Sequence, residues 1–166
     1  MKICAIDQSI RSSGITIFND GEPISFHLIR TEKTDGDIYE RINMIVDRVV
    51  ELVEEHFIDH IAIESIPMGR ITGNSRIDLA GLFHSLISRL RFVLNVPITI
   101  IQIQEAKIIA TGSGKADKNT MFNALSDDMK ERIVSFEKRK TKGLYDVVDS
   151  YWIGKVLIKQ LEVLQR

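Results

Sequence analysis

The stretch CAIDQSIRSSGITIF, residues 4–18, holds an apolar run ending in Asp7, a small polar loop, Gly14 and a second apolar run. Two strands joined by a short connection fit that pattern. Asp7 is the unusual element, because an unpaired charge on a buried strand is costly. It serves either as a strand-end turn residue or as a ligand for a cation. One acid alone does not separate the two.

Outward from this stretch, residues 2–7, 14–19 and 23–30 read as strands, and the NDGE at 19–22 is a tight-turn signal joining the second and third as a hairpin. Apolar residues from Ile38 to Val53 recur at helical spacing, predicting a helix over about 37–57. HIAIES, 60–65, reads as a buried strand carrying Glu64 near its end, and 68–76 as a glycine-bearing loop. A helix over about 77–94 follows, and Pro97 opens another strand, ITIIQI. QEAKIIATG predicts one or two helical turns stopped by Gly112, and ADKNTMFNALSDDM a short helix. A charged loop over 135–143 leads to a final helix over about 144–163. The order predicts an α/β protein with a mixed central β-sheet, helices on both faces and a single domain over 1–166.

Composition narrows the function classes. The 166 residues suit one domain with a real core, and 44 % hydrophobic with 27 % charged residues is ordinary for a globular chain. No apolar run approaches the roughly 20 residues of a membrane span, so no membrane partner is expected. The apolar part of MKICAIDQS is too short for a secretory signal. The single cysteine, Cys4, excludes an intramolecular disulfide, fits a reducing compartment and reads as a small buried hydrophobe. A net charge of −1, from 22 basic and 23 acidic residues, excludes a uniformly basic coat but not a local basic face.

Four acids fall at informative places. Asp7 and Glu64 end strands, and Asp146 and Asp149, in YDVVDSYW, stand three apart at the start of the last helix. That spacing stacks them on one helical face. If the strands of Asp7 and Glu64 are neighbours, all four can meet at one sheet edge. Two unit charges about 4 Å apart repel by about 1 kcal/mol in water and several times more near a protein surface, so such a cluster asks for cations. An all-oxygen set suits Mg²⁺ or Mn²⁺ rather than zinc, and two such ions form a clamp for phosphoryl displacement. The plainer alternative for Asp146 and Asp149 is a favourable interaction with the helix dipole. Their neighbours Val147, Val148, Tyr151 and Trp152 are apolar bulk, which argues against solvent-facing decoration.

Other chemistries fail on inspection. ATGSGK would be a phosphate-binding loop only with Gly at 109 and Ser or Thr at 116, where the chain has Ile109 and Ala116. His56 and His60 are four apart, but they straddle the end of a helix and the start of a strand. No Cys–His pair recommends nucleophilic catalysis, and zinc-ligand clusters are absent from the sequence.

AIDQSIRSSGITIF, IAIES, AKIIATGSGKADKNT and YDVVDSYWIG together resemble the RuvC family of Holliday-junction resolvases, over the whole length of the chain. The resemblance implies an RNase H-like fold and a homodimeric endonuclease that makes paired nicks in four-way DNA junctions. Two Mg²⁺ or Mn²⁺ ions per active site are implied, held by Asp7, Glu64, Asp146 and Asp149. It further implies that Lys118 is catalytic and that Lys107 and Lys118 face DNA. A lysine beside the scissile phosphate offsets developing negative charge. Lys115, Arg70 and Arg76 lie in segments that can add to a phosphate-tracking face, as do Lys138, Arg139, Lys140 and Lys142.

The chain departs from the family pattern twice. Gln8-Ser9 stands where a proline usually follows the first aspartate. Pro67 and Met68 stand where an aromatic often wedges against the branch point, and either can act as an apolar wedge. The helix over about 77–94, with more apolar residues than one narrow stripe requires, is the expected dimer helix. The compartment implied is a bacterial cytoplasm, or that of the host for a phage member. A branch-migrating helicase is a conceivable partner that nothing in the chain specifies. The alternatives are a nuclease of the same fold acting on flaps, forks or RNA–DNA hybrids, and a non-catalytic junction-binding protein.

Overall fold

Strand β1 (Lys2–Asp7) is the centre of the architecture, buried along all but its first residue. The structure, a computed structural model, describes residues 1–66, 73–137 and 142–164, with the Lys142 side chain left out. β1 pairs antiparallel with β2 (Ser12–Asn19), which pairs antiparallel with β3 (Glu22–Arg30). The turn between β2 and β3 places Asp20 and Gly21 at φ 49° and 88°. Two positive φ values match the twist of a tight hairpin, as the NDGE signal predicts.

On its other side β1 runs parallel to β4 (His60–Glu64), and β4 runs parallel to β5 (Ile98–Ile101). The five-stranded order β3-β2-β1-β4-β5 is the mixed sheet expected from the sequence. Helix α1 (Ile38–His56) makes the crossover into β4. It starts at Asp37, whose carboxylate accepts from the backbone N–H groups of Tyr39 and Glu40.

Between β4 and β5 the single predicted helix is two pieces, α2 (Asn74–Ile87) and a π-helical segment over Ser88–Val93. Past β5 come α3 (Ile103–Thr111), α4 (Lys118–Asn123), α5 (Asp127–Phe136) and α6 (Lys142–Leu164). Gly112 stops α3 in the left-handed conformation, as expected. The one short helix predicted over residues 116–129 is in fact split, because the Ser126 hydroxyl caps α5 at the Met129 N–H, 3.3 Å away.

Period-two alternation sorts the strands between two cores. Cys4, Ile6, Ile61 and Ile63 pack with α1 and α2, while Ile3, Ala5, Phe18 and Ala62 pack with α3 to α6. Cys4 is fully buried, and burial pushes its thiol up to about 12, so it behaves as the small hydrophobe the sequence predicts. Leu79, Phe83, Leu86 and Leu90, the residues behind the expected dimer helix, are all buried within this one chain. Leu82, Phe83, Leu86 and Leu90 fill the core on the α1 side, and Ile77, Phe92 and Val93 are what this segment leaves exposed. The apolar surplus that suggested a partner is therefore largely spent on the chain's own sheet. No helix among the described residues is long and apolar enough to cross a membrane.

Candidate active site

Because β1 and β4 are parallel neighbours with Ile6 opposite Ile63, Asp7 and Glu64 emerge side by side at the same end of the sheet. Alternation puts both on the α6 side, in line with Ala5 and Ala62. Helix α6 crosses that face with Asp146 and Asp149 one turn apart, both buried.

The approach of α6 depends on a missing side chain. Gly14 lies opposite Asp7 in the β1–β2 register. A Cβ there would sit 2.1 Å from the Asp146 carbonyl oxygen and 2.8 Å from the Val147 nitrogen. Glycine lets the first turns of α6 rest directly on the strand, which delivers Asp146 beside Asp7. Farther along, Gly154 makes the reciprocal contact, since a Cβ there would run into the Phe18 ring at 2.2 Å. Between them the Thr16 and Ser150 hydroxyls are 2.8 Å apart in a buried pair, so helix and strand are joined at three levels. The sequence places Gly14 only at the start of the second strand. Its position opposite an acid-bearing strand end was the available signal, and it needed the pairing to be read.

The four carboxylates feel one another. Asp7 is held well above the ordinary carboxylate range, by burial first, then by Glu64, Asp149 and Asp146. A side-chain hydrogen bond between the two carboxyl groups adds to the effect on Asp7. Glu64 is also raised, chiefly by burial, with Lys118 and Lys107 pulling the other way. Burial pushes Asp149 up to about 6 against the opposing charge of Lys118.

Lys118 is the counter-charge. Its Nζ is 3.3 Å from Asp149 Oδ2 and 4.0 Å from Asp146 Oδ1. Burial works against its charge, but Asp149, Asp7 and Asp146 outweigh burial and hold it above the usual lysine value. It is the first residue of α4, whose N-cap Asp117 accepts from the Thr120 N–H at 2.7 Å. Tyr145 of α6 donates its hydroxyl to the Asn119 side-chain Oδ1, and Trp152 donates its indole N–H to Met121 O at 3.1 Å. α4 is thereby docked on α6 with Lys118 facing the acids.

The structure brings together five of the residues singled out by sequence, Asp7, Glu64, Asp146, Asp149 and Lys118, with Lys107 of α3 close enough to act on Glu64. Lys115 is exposed in the loop before α4, and Arg76 is exposed in the first turn of α2. Pro67, Met68, Arg70, Lys138, Arg139 and Lys140 lie outside the described residues, so the wedge and much of the basic face do too. His56 and His60 do not form a pair: His56 stacks on His27 with ring centroids 5.8 Å apart, and His60 meets Thr99 at 2.9 Å.

Gln8, marked by the sequence only as a departure from the family pattern, and Arg41, which the sequence reading passed over, complete the setting. The Gln8 side chain, almost fully buried, donates to the Glu64 carbonyl at 2.8 Å. Buried Arg41 of α1 binds the Thr31 hydroxyl at 3.0 Å and the Ile10 carbonyl at 3.3 Å, fastening the loop that follows Asp7. A buried polar residue directly after the strand-end acid was the signal for Gln8.

Among the described residues, no three carboxylates, imidazoles or thiols are already gathered tightly enough to close around an ion. Lys118 supplies positive charge against Asp146 and Asp149. The donor set is four carboxylates and no sulfur or imidazole, the hard oxygen chemistry of Mg²⁺ or Mn²⁺.

No family model matches the chain, and no curated protein matches it. Solved structures do. Thermus thermophilus RuvC superposes with a TM-score of 0.70 at 16 % identity, over 96 % of each chain. The yeast mitochondrial Holliday junction resolvase Ydc2 gives 0.69 at 14 % identity, over 98 % of this chain and 80 % of its own. The fowlpox virus resolvase, solved in complex with its substrate Holliday junction DNA, gives 0.58 at 19 % identity, over 97 % of this chain and 99 % of its own. Over nearly all of its length, this chain therefore has the RNase H-like fold of the RuvC-type resolvases.

Proposed function

We propose that this chain, as one nuclease domain over 1–166, is a divalent-metal-dependent endonuclease that resolves four-way DNA junctions. The observation that carries the reading is the meeting of Asp7, Glu64, Asp146 and Asp149 at one end of a sheet of this fold, with Lys118 against them. Similarity to resolvases, one of them solved on its substrate junction, supports the choice of DNA substrate.

Asp7, Glu64, Asp146 and Asp149 would hold two Mg²⁺ or Mn²⁺ ions, which supply an activated water and stabilise the leaving 3′ oxygen when bound. The protein's own contribution is placement. The β1–β4 pairing holds Asp7 beside Glu64, and the Gly14 contact sets the height of Asp146. Lys118, which faces Asp149 at 3.3 Å, would be available to a phosphate oxygen with cations bound, and Lys107 adds positive charge near Glu64. Lys115 and Arg76, both exposed, extend the field that draws in a polyanion. Paired nicks need two active sites, so the working form is a homodimer. Its contact would use the exposed Ile77, Phe92 and Val93, not the buried leucines of α2.

The test is cleavage of an end-labelled four-way junction with Mg²⁺, Mn²⁺ or EDTA, beside linear duplex, a fork and an RNA–DNA hybrid. Symmetric, metal-dependent nicks near the branch point are expected. Asp7→Asn should lower the rate by about 10³-fold or more while leaving junction binding intact. Preferential cutting of the fork or hybrid would move the substrate. Tight junction binding without cutting in either metal would leave a non-catalytic binder.

A further inference from the structure

The β1–β4 ladder stops one residue short of the acids. Its last pair is Ile6 with Ile63, so no backbone rung joins Asp7 to Glu64. Asp7 and Glu64, whose carboxyl groups meet in a hydrogen bond, thus sit just past the last pair of the ladder. On the β5 side the end of β4 is secured by the chain itself. Glu64 pairs with Ile101, the Ser65 N–H donates to Ile101 O at 2.8 Å, and the Ser65 hydroxyl donates to Gln102 Oε1 at 2.8 Å.

On the β1 side, past the last pair of the ladder, a side chain ties one backbone to the other. Gln8 Nε2 donates to the Glu64 carbonyl at 2.8 Å. The donor belongs to the residue after Asp7 and the acceptor to Glu64 itself. One hydrogen bond thus spans the backbones that carry the two carboxylates. Ser9 and Ser13 hold the loop beyond: the Ser13 hydroxyl donates to Ser9 O at 2.7 Å and accepts from the Ser9 N–H at 3.0 Å. The amide oxygen of Gln8 is buried and has no hydrogen-bond partner among the described residues. A buried acceptor left open is costly, and in a cation site a coordinated water is a natural donor for it.

We infer that Gln8 is a positioning residue that replaces the missing rung between β1 and β4, fixes the spacing of Asp7 and Glu64, and thereby sets the affinity of their shared cation site. The inference rests on the proposed reading of these carboxylates as cation ligands. Gln8 does not touch the reacting atoms and acts through the two acids it holds.

The test is a Mn²⁺ titration of the DNA-free protein followed by electron paramagnetic resonance, on wild type, Gln8→Leu and Gln8→Asn. Leucine removes the donor at similar size, and asparagine keeps an amide too short to reach. Either variant that folds, by circular dichroism, should bind Mn²⁺ about tenfold more weakly, the usual scale for a lost partner of a metal ligand. In cleavage assays the half-maximal Mg²⁺ concentration should rise by a similar factor, while the rate at saturating metal stays within about twofold. A merely structural role would lower the melting temperature and leave the Mn²⁺ midpoint of the folded protein unmoved, which overturns the inference. A wild type that binds no Mn²⁺ also overturns it. A wild type that binds Mn²⁺ but cuts no branched DNA would sink the nuclease reading alone, since the titration still decides the role of Gln8.

Discussion

On the α1 side of the sheet, β1 and β4 present Cys4, Ile6, Ile61 and Ile63. On the α6 side the same strands present Ala5, Asp7, Ala62 and Glu64. The first face is filled by branched and bulky side chains meeting a buried leucine and isoleucine layer. The second is cut low, with Gly14 and Thr16 continuing the small residues onto β2. Large side chains hold a helix away from a sheet, whereas small ones let backbone approach backbone. Here the low face brings α6 down far enough that its acids share space with those of the strands. One face supplies stability through apolar burial. The other gives some of that up to build a charged site.

The contrast breaks most sharply at Gly14. Gly14→Ala places a Cβ against the backbone of Asp146, and neither strand nor helix can give way cheaply. A loss of about 3 kcal/mol in urea denaturation is expected, from overpacking of a rigid contact. Cation affinity should fall with it, because α6 must lift. A fully stable variant with unchanged Mn²⁺ binding would show that the close approach has no role in the site.

The charged face also predicts an unusual pH dependence. Asp149 is pushed from 3.8 up to about 6 by burial, so the folded protein holds its proton more tightly than the unfolded chain. Its contribution to stability is complete below about 3.8 and is lost as pH rises through about 6. Asp7 and Glu64 are shifted in the same direction. Without metal, these acids should therefore raise the melting temperature between pH 7 and pH 5 by the equivalent of about 1–2 kcal/mol, less what His27 and His60, both lowered chiefly by burial, take back. Saturating Mg²⁺ should flatten that slope, because the cation replaces the proton. A metal-free protein that loses stability steadily over this interval would contradict the shared burial of these acids.

The smallest effect belongs to the apolar face. Ile63→Val removes one methyl group from the fully buried α1-side core and should cost about 1 kcal/mol by denaturant unfolding. Cleavage per folded molecule should be unchanged, although residue 63 adjoins Glu64. A drop in the cleavage rate beyond the loss of folded protein would mean that the two faces are not energetically separate.

Much of this architecture was legible in the chain alone. Alternation in β1 and β4, the NDGE turn and the helical spacing of α1 and α6 are local signals, written within a few residues of where they act. The four acids were legible for the same reason: a strand-end carboxylate and a three-residue spacing are visible without a fold. What stayed hidden depends on distant neighbours. Residues 77–94 announce an apolar helix, but only packing decides that Leu82, Leu86 and Leu90 face the chain's own sheet. Ser126 reads as an unremarkable polar residue until its hydroxyl caps α5. By itself the sequence determined the elements, the acids and the charge-based need for a counter-ion, because propensity, periodicity and ionisation belong to the residues. Tertiary structure alone decided that Gly14 lies under Asp146, that Lys118 is the counter-charge and that Gln8 bridges to Glu64. These are contacts between segments roughly 30 to 130 residues apart in the chain, and pattern within a segment carries no information about which distant backbone will lie against it.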